Sequence, residues 1–239
     1  MRDSAKVAIT WTGVPRLRGF TLVELVVVIA LIAAVTVMGL GSLKGGGDSR
    51  ALQSARSALA GIITVARTKA VSSGQTCRVM VNIDPTSRGP DPRFLRYLVV
   101  QAERGGTWET LVDLHLPSGV YLVPGDISPL PTGLFAEGSS AWVRVDGLSP
   151  LRSTVLRSNQ VTTETVNAGT VERWVSFSFA GAGTTVQAGD LVLALGSIRP
   201  PASYADGESP VVLANPENVC GVTLSSYGLA VLIGDRAGF

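Results

Sequence analysis

The feature that most constrains this chain is a near-unbroken apolar run close to its start. Between Leu25 and Leu40 the one polar side chain is Thr36. Residues 20–40 number about 21, which at a rise of 1.5 Å each makes roughly 32 Å of helix, enough to cross a bilayer core. One ionisable residue, Glu24, stands a turn inside the run. A carboxylate in hydrocarbon is costly, so its presence calls for a partner cation or a functional reason. Arg16 and Arg18 flank the run on its N-terminal side. By the positive-inside rule they leave the N-terminus in the cytoplasm and send everything after Leu40 to the far side of the membrane.

Charge separates the start of the chain from the rest. Of the formal +2, residues 1–19 contribute +3 (Arg2, Lys6, Arg16 and Arg18 against Asp3), which leaves the remainder at −1. A near-neutral remainder gives no general signal for nucleic acid. A secretory signal peptide does not fit: the apolar run is longer than an h-region, and no clear cleavage site follows it.

The hexapeptide Gly19-Phe20-Thr21-Leu22-Val23-Glu24, with the apolar run behind it, closely resembles the processing motif of type IV pilins and type II secretion pseudopilins. The resemblance implies cleavage between Gly19 and Phe20 by a prepilin peptidase and N-methylation of Phe20. It also implies that Glu24 meets the N-terminal amine of a neighbouring subunit during filament assembly. The physics agrees, because a buried carboxylate needs a cation and a freshly made amine supplies one. Three readings remain open: such a filament subunit, a DNA-binding FimT-like minor pilin, and a membrane-anchored periplasmic domain that is never processed.

The expected organisation is a leader over residues 1–19, a transmembrane or filament-core helix over 20–40, a juncture and amphipathic helix over 41–74, and a β-rich head over 75–239. Gly39, Gly41, Gly45, Gly46 and Gly47 should loosen or break the helix, at about 1 kcal/mol each relative to alanine. Asp48 or Ser49 is a fitting N-cap for its resumption. Leu52, Ala55, Leu59, Ile62, Ala66 and Ala70 then form one apolar stripe, and Gly74 suits a C′ position. Arg56, Arg67 and Lys69 read as a solvated face.

Strand patterns follow at 76–83, 94–101, 107–116, 120–123, 141–145, 173–179, 190–195, 219–224 and 229–233. Residues 124–140, 159–168 and 196–210 read as loops, and Ser225-Ser226-Tyr227-Gly228 as a hairpin turn. The order of the last third resembles that of GspH/FimT-like minor pseudopilins. The fold class is therefore α+β, a long N-terminal helix packed on an antiparallel β-sheet head.

Chemistry-bearing constellations are sparse. His115 is the one histidine, with no Gly-x-Ser-x-Gly elbow, phosphate loop or metal-ligand cluster in the sequence, so no enzyme activity, cofactor or metal is expected. Cys77 and Cys220 have neither CxxC spacing nor a nearby histidine; in an oxidising compartment they form either a disulfide or two separate buried thiols. Arg88, Arg93 and Arg96 with Tyr97 make a small basic group, the residues a DNA-binding reading would use. The expected partners are prepilin peptidase, other pilins or pseudopilins, and the inner membrane, and not nucleic acid.

Overall fold

A computed structural model describes residues 22–86, 92–128, 130–166 and 170–239. The chain divides into two compact units, Met1–Gly45 and Gly46–Phe239. Helix α1 spans Leu22–Ser73. Of the loosening or break expected at Gly39–Gly47, a break does not occur: the backbone stays helical, and the boundary between the units falls there, at Gly45/Gly46. Glycine weakens a helix but keeps its N–H, and no proline occurs between Pro15 and Pro85 to remove one. Asp48 and Ser49 consequently lie inside α1 rather than capping it.

In the second unit the predicted stripe is the buried one. Leu52, Ala55, Leu59, Ile62, Ala66 and Ala70 are all buried, joined by Ile63. The helix ends as its sequence suggests, with Gly74 at φ +65°, the left-handed conformation a C′ residue takes.

Ten strands follow α1: β1 (Cys77–Asn82), β2 (Tyr97–Arg104), β3 (Thr107–His115), β4 (Val120–Val123), β5 (Val161–Thr165), β6 (Val171–Phe179), β7 (Gly189–Ile198), β8 (Val211–Leu213), β9 (Val219–Leu224) and β10 (Ala230–Ile233). They form two antiparallel sheets, ordered β3-β2-β1-β6-β5 and β10-β9-β7-β4, with β8 pairing the end of β7. The alternating residues Cys77, Val79, Val81 of β1 and Val175, Phe177, Phe179 of β6 share one core with the helix stripe and with Leu191, Leu193, Val222 and Leu224 of the second sheet. This is the expected α+β architecture, a helix on antiparallel sheets. The other face of the first sheet carries a smaller cluster of Met80, Tyr97, Val99, Val166 and Trp174.

Two sequence-level readings fail locally. Residues 141–145 are not a strand: Ser139–Ala141 is a 3-10 turn, and Val143 makes one isolated bridge to Pro150. The tract 159–168 is not simply a loop, since Val161–Thr165 is the edge strand β5, paired to β6 alone. An edge strand with one ladder partner needs no apolar alternation, which is why Val-Thr-Thr-Glu-Thr reads as polar loop.

One residue ties the sheets together through its backbone. Leu95, fully buried, sits at φ +57°, where a side chain costs roughly 1–2 kcal/mol. Its N–H donates to Asn82 O at 2.8 Å, and its carbonyl accepts from Leu122 N at 2.8 Å, joining β1 to β4.

If the stripe holds the head together, Leu59→Ala should destabilise it by about 2–5 kcal/mol in denaturant unfolding followed by tryptophan fluorescence. Exposed Val65→Ala should stay within roughly 0.5 kcal/mol.

Candidate functional site

Glu24 is the third residue of α1, and its neighbours Leu22, Val23, Val26, Val27 and Ile29 are all more than half exposed. Five large apolar side chains that the chain itself leaves uncovered need another apolar phase around them, from lipid or from other subunits. Gly19 and Phe20, the expected processing residues, lie outside the described residues, as does the side chain of Glu24. Among the described residues no helix is long and apolar enough to cross a membrane. Of the expected span over residues 20–40, residues 20 and 21 and most of the side chains beyond them lie outside the described set.

In the head, the basic group of the DNA-binding reading is drawn inward. Arg93 Nη1 bonds the Glu172 carboxylate at 3.2 Å, and its guanidinium lies 5.0 Å from the Tyr97 ring centroid. Arg96 is buried, with Nε donating to Leu116 O at 2.9 Å. Arg88 lies outside the described residues. Arg93 and Arg96 thus stitch the fold rather than offering cations to a phosphate backbone.

His115 closes β3 opposite Tyr97, ring centroids 4.4 Å apart, while the Tyr97 hydroxyl donates to Asp113 at 3.1 Å. No group of three or more metal-ligating side chains occurs among the described residues.

The disulfide alternative is corrected. Cys77 and Cys220 are both free and buried, Cys77 in β1 of the first sheet and Cys220 in β9 of the second. Cys220 Sγ donates to Leu52 O at 3.4 Å, packing the thiol on α1. Burial pushes its pKa up to about 11 against the opposing charge of Arg56. Burial also raises that of Cys77, against Lys69. The solvated-face reading fails for Arg67, whose Nε donates to Gly183 O at 3.2 Å and Tyr227 O at 3.1 Å, clamping two turns onto the helix.

Sequence reasoning missed a set of long-range ion pairs. Arg78, buried in β1, donates to Gln101 and bonds both oxygens of Glu164 in β5, with Trp108 stacked 4.0 Å away. Glu172 accepts from Asn82 at 3.0 Å as well as from Arg93. Arg144 bonds Asp190 at 2.6 Å, and Thr223 donates to the same carboxylate at 2.6 Å. An arginine among apolar strand residues, as in Cys77-Arg78-Val79, was the available signal. Missed too was an open groove of about 800 Å³ between segments 125–130 and 150–159.

At pH 7–8 neither thiol should react with a maleimide in the folded chain, and both should react in denaturant. Native labelling of either one, or a disulfide in the non-reduced intact mass, contradicts this arrangement.

The family model described as the prokaryotic N-terminal methylation motif matches residues 15–40. Type II secretion system protein H of Xanthomonas campestris pv. campestris is 41% identical over 73 residues, covering 30% of this chain and 42% of that protein. The chain thus spans under half the length of this curated relative. Two solved structures overlap it more broadly: the type IV minor pilin FimU of Pseudomonas aeruginosa (12% identity, TM-score 0.34, covering 76% of this chain and 87% of that one) and the minor pseudopilin EpsH of Vibrio cholerae (16%, 0.36, 77% and 94%). The methylation motif over residues 15–40 and the 73-residue stretch shared with a type II secretion system protein H make this chain similar, over those stretches, to proteins that carry the motif and to that protein H.

Proposed function

We propose that the chain is a minor pilin or pseudopilin subunit that works by assembling into a filament, a type II secretion pseudopilus or a type IV pilus, and not by catalysis. The observation that carries this reading is the methylation motif over residues 15–40, which runs into the start of helix α1, where the chain leaves apolar side chains uncovered. A prepilin peptidase cuts between Gly19 and Phe20 and methylates Phe20. Residues 20–40 hold the subunit in the inner membrane, with the N-terminus cytoplasmic and the head periplasmic.

Glu24 guides the move from membrane to filament. Near a helix N-terminus its carboxylate already gains from the helix dipole, about 0.3–1 kcal/mol at exposed sites. That does not offset a charge placed in hydrocarbon, which costs about 2.5–3.5 kcal/mol on insertion scales. A neighbour's terminal amine in the same layer neutralises it. The apolar surface then passes from lipid to the filament core without meeting water.

N-terminal sequencing and intact mass of the membrane-extracted chain, co-expressed with a prepilin peptidase, test this. The expected product starts at N-methylated Phe20, and Gly19→Ala leaves the Met1 start. Glu24→Gln should be cut normally yet fall at least tenfold in sheared filament fractions. A wild-type chain that keeps Met1 replaces this reading with an unprocessed anchored domain.

A further inference from the structure

Six arginines of the head are matched to carboxylates. Arg78, Arg93, Arg104, Arg144, Arg199 and Arg236 face Glu164, Glu172, Glu109, Asp190, Glu208 and Glu217. Arg152 is not one of these six. Among the described residues it has no ion-pair partner. Nη1 donates to the adjacent Leu151 O at 3.2 Å, and the guanidinium lies 3.9 Å from the Phe135 ring centroid. Burial pulls its pKa down to about 10, with no anion opposing the shift.

Arg152 lines the open groove of about 800 Å³, beside apolar walls from Leu130, Pro150 and Leu156. Arg157 lines it too, exposed, with Nε spent on Thr154 O at 3.0 Å. Among the described lining residues the one carboxylate is Asp126. The groove's charged side chains therefore sum to one net positive charge, which suits a single carboxylate and not a polyanion.

The groove is also preformed. Gly125 packs so closely that a Cβ there would come within 2.4 Å of Ser153 O and nearer still to Leu156 O. Ser158 Oγ donates to Asp126 O at 2.7 Å and accepts from Ser128 N at 2.8 Å, and buried Ser153 Oγ accepts from Val192 N of β7 at 2.9 Å. A fixed floor, apolar walls and an unmatched, partly desolvated guanidinium are the ingredients of a recognition site in which little ordering remains to be done on binding.

We propose that this groove docks an extended segment of a partner polypeptide in which an Asp or Glu stands between apolar residues. The carboxylate bonds Arg152 and Arg157, and the flanking side chains cover Leu130, Pro150 and Leu156. The docking concerns the head alone, so it does not depend on the filament reading, and a chain that is never processed would still bind.

A random heptapeptide phage library panned against the full-length chain in detergent, counter-selected on Arg152→Gln, tests this. Enriched peptides should carry Asp or Glu beside apolar residues. A synthetic copy of one should lose about tenfold or more in affinity, by fluorescence anisotropy, on Arg152→Gln or on changing its own Asp to Asn. Exposed Arg157→Gln should cost about threefold and leave the thermal unfolding midpoint unchanged. If Arg152→Gln does not fold, Arg157→Gln and the Asp-to-Asn peptide decide the outcome. No enrichment, enriched peptides without an acid, or acidic peptides indifferent to both the guanidinium variants and the Asp-to-Asn change overturn the proposal.

Discussion

One helix face organises the head. Leu52, Leu59, Ile62 and Ile63 supply bulk, each contributing on the order of 1.5–3 kcal/mol by burial, while Ala55, Ala66 and Ala70 let backbone approach closely. Residues of both sheets meet that face within one continuous core. The polar features of the head are arranged around this packing. Arg67 clamps two turns to the helix, and Cys220 rests its thiol on the Leu52 carbonyl.

Much of this architecture was legible because its signals are local. The three- and four-residue spacing of the stripe, the glycine after Ser73, the alternation of Val175, Phe177 and Phe179, and the turn before β10 each state a conformation within a few residues. Strand β4 is the clearest case, a run of four apolar residues buried on both faces. Glycines proved a weaker signal than expected in α1, since a propensity penalty is graded and does not remove a hydrogen bond as proline would.

The illegible part is long-range and polar. Glu164 lies 86 residues from Arg78, and nothing in Val-Thr-Thr-Glu-Thr states that it forms an edge strand bringing a carboxylate to β1. Arg93 and Arg96 look like a basic group in sequence, yet each folds inward to an acceptor brought by a distant segment. The groove beside Arg152 is equally hidden: its walls come from two segments separated by about twenty residues, with no periodicity between them. The methylation motif over residues 15–40 is the opposite case, a contiguous stretch read directly from the sequence.

Leu95 bears on how the head comes apart. Its strained backbone is the knot between β1 and β4, and separation of the sheets breaks at least one of its two hydrogen bonds. Partial opening of one sheet would forfeit the compensation that keeps a leucine in the left-handed region, so the sheets are coupled into one cooperative unit. The amides of Leu95 and Leu122, each bonded across this knot, are then expected among the slowest of the head to exchange with solvent. A head tied in this way opens as a whole rather than sheet by sheet.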